Sequence, residues 1–129
     1  MCDGCHGFFL KGAEYVEECI FCKIVRREIP AQVVYEDGRV LVFQDIRPAA
    51  PVHYLLIPKK HIPTFFEVGE EDEGVLGHLQ RVAALVAREA GLDKKGFRLV
   101  SNCLEGGGQL VFHLHYHLLA GRELGWPPG

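Results

Sequence analysis

The chain has no apolar run that approaches the thickness of a bilayer, and its first hydrophobic stretch, Phe8-Phe9-Leu10, is far too short for a signal-peptide core. The expectation is a cytoplasmic protein with no membrane partner. A basic excess is also missing: 14 Lys and Arg against 17 Asp and Glu leave a formal net charge of -3. That balance argues against broad nucleic-acid binding, though not against a single phosphate held by local dipoles. Cysteines number five, an odd count that excludes a fully paired disulfide framework within one chain, and with no secretion signal the thiols read as reduced. Internal repeats and low-complexity segments are absent. A length of 129 residues, 48% hydrophobic and 24% charged, suffices for one ordinary core and leaves no room for a second domain.

Against this plain background one segment stands out. His113, His115 and His117 occupy every second position of the otherwise apolar run Val111-Phe112-His113-Leu114-His115-Tyr116-His117-Leu118-Leu119. On a β-strand these three imidazoles share one face and Leu114, Tyr116 and Leu118 the other. Imidazole can be nucleophile, proton carrier or metal ligand near neutral pH, so a strand face given over to it points to chemistry. Just upstream, Gly106-Gly107-Gly108-Gln109 lacks Cβ atoms over three positions and can bring several backbone N–H groups to one anion, with phosphate the natural guest.

The remaining pattern is α+β. Residues 20–27 read as a short helix, and residues 33–35 and 40–45 as strands around the Asp37-Gly38 turn. Residues 54–57 form a third strand after the Pro48 to Pro51 loop. Residues 73–90 carry Val75, Leu76, Leu79, Val82, Ala83, Val86 and Ala90 at helical spacing, with Asp72 as cap and Gly91 beyond the end; His78 reads as a boundary residue of this helix. Residues 97–102 and 110–119 complete a five-stranded antiparallel sheet with one long and one short helix, both expected on one face. Cys2-x-x-Cys5 and Cys19-x-x-Cys22 are pairs of the kind that pinch zinc, so a four-cysteine module and no metal at all are both open on spacing alone.

Gly107-Gly108-Gln109 followed by the histidine run resembles the signature of the histidine-triad (HIT) family of nucleotide hydrolases and transferases. Glu18-Cys19-Ile20-Phe21-Cys22-Lys23-Ile24-Val25, Glu28-Ile29-Pro30-Ala31, Val42-Phe43-Gln44-Asp45-Ile46, Pro58-Lys59-Lys60-His61-Ile62 and the ending Gly125-Trp126-Pro127-Pro128-Gly129 resemble its Hint (nucleoside phosphoramidase) branch in order and spacing. The resemblance covers residues 18–129, the expected HIT domain. Residues 1–17, with Cys2, Cys5 and His6, match nothing in that core and read as a disordered extension or an upstream start.

What the residue types and the resemblance imply together is specific. His115, central in the row, is the expected nucleophile on the α-phosphorus of a nucleotide, forming a covalent nucleotidyl-histidine that water hydrolyses to the nucleoside monophosphate. His117 would bind or protonate a non-bridging oxygen with backbone help near Gly108, and His53 would support the row from the neighbouring strand. By resemblance, Asp45 takes the ribose diol, while Ile20, Phe21, Ile24, Phe43 and Ile46 line the base slot. Asn102 and Gln109 resemble the polar contacts of the phosphate and sugar region. Lys59 and Lys60 read as a solvated pair. The resemblance adds a third metal reading, in which Cys19 and Cys22 join His61 and His113 in a structural zinc site; no cofactor is expected in the chemistry itself. It also implies a homodimer in which Trp126 shapes access to the partner's site.

One position departs from the Hint pattern. Where a serine usually follows Gly-Gln, this chain has Leu110, which cannot donate a hydrogen bond to a leaving group. The leading expectation is hydrolysis of purine nucleoside phosphoramidates or acyl-nucleotides. Dinucleoside-polyphosphate hydrolysis or nucleotidyl transfer stands as a second reading, and a non-catalytic nucleotide-binding interaction protein as a third.

Overall fold

The computed structural model describes residues 18–129. The short helix α1 spans Ile20–Val25, followed by β1 (Val33–Glu36), β2 (Val40–Gln44) and β3 (Val52–Pro58). The long helix α2 (Glu73–Glu89), β4 (Arg98–Val100) and β5 (Tyr116–Ala120) complete the order. All strands pair antiparallel in one sheet, in the order β1-β2-β3-β5-β4. Among the described residues no helix is long and apolar enough to cross a membrane.

Strand alternation divides the core in two. Val40, Val42, Leu56 and Leu118 face α2, whose Leu79, Val82, Ala83 and Val86 repeat at helical spacing and are all buried. Leu41, Phe43, Leu55 and Ile57 face the other way and pack with Phe21, Cys19 and Cys22 of the α1 region. The two helices therefore cover opposite faces, not one. Both faces of β2 and β3 are lined with apolar side chains, so each face needs its own cover. Asp72 precedes α2 but does not cap it. Its carboxylate instead accepts from Gly69 N and from Lys60 Nζ at 2.7 Å, and that strong pairing holds it in the preceding turn.

The histidine row is not carried by a strand over its full length. β5 begins only at Tyr116, opposite Leu56; β3 runs on through Ile57 and Pro58, which pair with β2 alone. Leu114 N then bonds Ile62 O at 2.7 Å in place of a ladder partner. His113 and His115 thus stand on an irregular, bent lead-in, and only His117 is in the strand. The register still aligns the site: Leu55 pairs with His117 and His53 with Leu119, which makes His53 and His117 diagonal neighbours on one face.

Candidate functional site

Backbone groups decide which nitrogen of each histidine carries a proton. His115 Nδ1 lies 2.7 Å from His113 O, an acceptor only, so Nδ1 holds the hydrogen and Nε2 keeps its lone pair. His53 Nδ1 accepts from Ala49 N at 2.9 Å, which leaves its hydrogen on Nε2, 2.9 Å from His117 Nδ1. His117 accepts there and carries its own hydrogen on Nε2. The site thus pairs a nucleophilic lone pair on His115 with a donor on His117, their rings 5.0 Å apart.

Burial keeps these rings neutral. The His115 imidazole is held below its ordinary range by loss of solvent, a push that its bond to His113 O partly opposes. Burial first, and then the neighbouring His115 and His53 rings, lower His117 to about 4. His53 is lowered by burial against the pull of the Asp45 carboxylate, 3.4 Å away. The acid limb of catalysis is therefore expected below the usual imidazole value near 6.5, where a solvent-exposed histidine base would place it. For stability the unfolded chain binds the proton first. As pH falls from about 6.5 to about 4, the depressed His117 therefore lowers stability progressively. A pH–rate profile and urea midpoints across that window check both.

His115 and His117 open onto a cavity of about 320 Å³ with Phe21, Ile24, Phe43 and Leu55 in its wall and Ile20 and Ile46 at its exposed rim. Phe21 stands edge-on to Phe43, His113 and His115, with ring centroids 5.1 to 5.8 Å apart. Asp45, Asn102 and Gly108 supply the polar part of the lining. Gly108 has φ +84, a conformation that favours glycine and turns the loop toward the cavity. Of the sequence-derived nucleotide contacts, two lie elsewhere. Gln109 is buried within the loop, its Oε1 accepting from Leu104 N and its Nε2 donating to Pro63 O and Val111 O. Those bonds hold Leu104 at φ +62 and so set the shape of the loop. Trp126 is 83% exposed and outside the cavity of its own chain. Ile29, Ala31 and Leu110 line the cavity as well, and of these only Leu110 carried a stated expectation.

Cys19, Cys22, His61 and His113 converge behind the row, all buried, with ligand atoms within 4.8 Å of one another. Cys19 is the N-cap of α1 and Cys22 lies one turn on, so both thiols face the same side. His61 Nδ1 is 3.2 Å from Cys22 Sγ and His113 Nδ1 is 3.4 Å from Cys19 Sγ. His113 Nε2 donates to Pro58 O at 2.8 Å, which turns the Nδ1 lone pair toward the sulfurs, as an outer partner does for a ligating imidazole. His61 Nε2 is buried without a hydrogen-bond partner. These four residues form a cluster able to hold a metal ion. Cys2, Cys5 and His6, which the four-cysteine reading needs, lie outside the described residues.

Lys59 and Lys60 turn from the cavity to Glu36 and Asp72, each at 2.7 Å. His78 sits at the edge of α2 and bonds Asp37 at 2.6 Å.

The chain is matched by the family model for the HIT domain over residues 26–124. It is 50% identical over 109 residues to the purine nucleoside phosphoramidase of Escherichia coli K12, a match covering 84% of this chain and 92% of that one. An uncharacterized HIT-like protein of Synechococcus elongatus is 51% identical over 113 residues, 88% of this chain and 98% of its own. Among solved structures, a HIT family hydrolase from Legionella pneumophila superposes with a TM-score of 0.85 at 52% identity, covering 87% of this chain and all of that one.

Proposed function

Because the chain belongs to the HIT family, we propose that it is a hydrolase of purine nucleoside phosphoramidates or acyl-nucleotides that works through a nucleotidyl-histidine. The observation carrying this reading is the proton arrangement just described: an unprotonated Nε2 on His115 beside a protonated Nε2 on His117, both at an apolar cavity of nucleoside size. His115 Nε2 attacks the α-phosphorus; the bond to the leaving nitrogen or acyl oxygen breaks, and a leaving amine takes its proton from solvent at the cavity mouth, where Leu110 offers no donor. The Nδ1–H bond to His113 O steadies the positive charge that the ring acquires. His117 Nε2–H meets the non-bridging oxygen as its charge grows, with the Gly108 loop beside it. Water then displaces the histidine, and the monophosphate leaves. Asp45 faces the cavity where it can accept from the ribose diol, and Phe21, Ile24 and Phe43 line the base slot.

The metal cluster fits zinc by its donor set, two thiols and two imidazoles, closed and buried as in structural sites. Bound there, zinc would supply no reacting group; Cys19, Cys22, His61 and His113 would hold it and join α1 to the lead-in of β5. A twofold dimer is part of the same proposal, supported by the edge position of β4 and the exposure of Trp126. Sedimentation that returns a monodisperse monomer at micromolar concentration contradicts it.

Mixing the protein with an adenosine phosphoramidate tests the reaction, and the expected result is adenosine monophosphate. Faster turnover of diadenosine polyphosphates would favour the second reading, and tight binding without product the third. Leu110 offers a finer check, since it is 82% exposed at the cavity and carries no donor. A donor aimed at a departing nitrogen contributes on the order of 1 to 3 kcal/mol at the transition state. Leu110→Ser is therefore expected to raise the rate on alkyl phosphoramidates by roughly tenfold. Hydrolysis of an acyl-adenylate, whose leaving group needs no help, should barely change. Equal effects on both substrates would place residue 110 away from the leaving group.

A further inference from the structure

His53 receives its proton assignment from outside its own strand. The Ala49 N–H on Nδ1 forbids a hydrogen there, sends it to Nε2, and so makes His117 the acceptor on one edge and the donor on the other. Were that N–H withdrawn, His53 could carry its hydrogen on Nδ1. Its Nε2 lone pair would then face both Asp45 Oδ2 at 3.4 Å and His117 at 2.9 Å. His117 would answer by donating from Nδ1, which turns its cavity-facing nitrogen into an acceptor. An acceptor repels a phosphoryl oxygen.

Ala49 lies in the exposed loop between β2 and β3, and the residues that fix it come from the far end of the chain. Gly121, directly after β5, has φ +95, and a Cβ added there would lie 2.7 Å from Pro51 Cβ, so the two segments run in close contact. Arg122 Nη2 then donates to Ala49 O at 3.1 Å while its Nη1 donates to Glu123 O at the same distance. Arg98 of β4 anchors the continuation through Leu124 O and Gly125 O, at 3.3 and 2.7 Å. One residue, Ala49, is thus gripped through its carbonyl by Arg122 and grips His53 through its N–H.

We propose that Arg122 is a positioning residue for the catalytic histidines: by holding Ala49 it keeps His53 in the Nε2–H tautomer and His117 as a donor toward the phosphate. The effect on rate rests on the phosphoramidate reading; the placement of the protons does not.

Nitrogen-15 imidazole spectra of the full chain, read beside steady-state kinetics, test it. In Arg122→Ala the two ring nitrogens of His53 should move toward each other as the tautomers mix. Activity should fall roughly tenfold in kcat, the scale of losing an outer partner, with KM nearly unchanged because base and ribose contacts are untouched. Arg122→Lys, which can still reach the carbonyl, should restore both. Ala49→Pro deletes the N–H itself and should shift the spectra at least as far. Spectra of Arg122→Ala identical to the parent overturn the proposal, as does a tautomer shift without loss of kcat. A parent chain that hydrolyses no phosphoramidate instead overturns the proposed reaction, and the spectra still decide the proton placement.

Discussion

Replacing His115 by alanine is expected to abolish turnover, by about 10⁴-fold or more, the scale seen when a covalent nucleophile is removed. Nucleotide affinity should change by only a few-fold. The asymmetry follows from the division of labour in the cavity. In the proposed reaction Phe21, Ile24, Phe43 and Asp45 would supply the surface that binds a nucleoside, while His115 would supply the lone pair that forms the bond. No second imidazole can replace it, since His117 spends its Nδ1 lone pair on His53 and carries hydrogen on Nε2. Residual activity within tenfold of the parent would rule out His115 as the nucleophile, and a parallel loss of affinity would mean that the variant had collapsed the cavity. Isothermal titration with adenosine monophosphate separates the two.

The second large effect concerns the metal cluster. Cys22→Ser is expected to lower zinc content and thermal stability together, the latter by about 10 °C or more if the site contributes about 3 kcal/mol to a domain of this size. Cys22 faces both imidazoles of the cluster, with His113 Nδ1 at 3.6 Å, so its loss removes a thiol that both rings share. In the proposed reaction the attacking lone pair is that of His115, which is not a member of the cluster, so kcat per folded molecule should hold. Cys2→Ser and Cys5→Ser should alter neither quantity. Zinc lost on changing Cys2 would select the four-cysteine module, and a Cys22→Ser protein as stable as the parent would remove the structural role.

The histidine row was legible because alternation is a local signal, and the structure divides it: His115 and His117 reach the cavity while His113 joins the cysteines. What the pattern missed is that the strand stops at Tyr116, since that depends on pairing with β3, which ends for this strand at Leu56, far along the chain. The same distance hides the metal set. Cys19 and Cys22 announce themselves by their spacing. His61 and His113, 39 and 91 residues from Cys22, were linked to them only through the family resemblance. Helix α2 read correctly over its buried stripe because helical spacing is intrinsic, yet Ala90 falls outside it and Ala87 inside, an end effect set by packing. Least visible were the backbone partners. An Ala49 N–H, a Pro58 carbonyl and the His113 carbonyl fix the tautomers of the site, and no residue type at those positions signals the role.

The measurement closest to the central claim is rapid quenching of the protein with an adenosine phosphoramidate, followed by mass analysis of the peptide that bears the histidine row. The account predicts a transient acid-labile adenylyl group on His115, formed and consumed at rates consistent with kcat. Turnover at full rate with no adduct on His115 at any time, or an adduct on another residue, would contradict it.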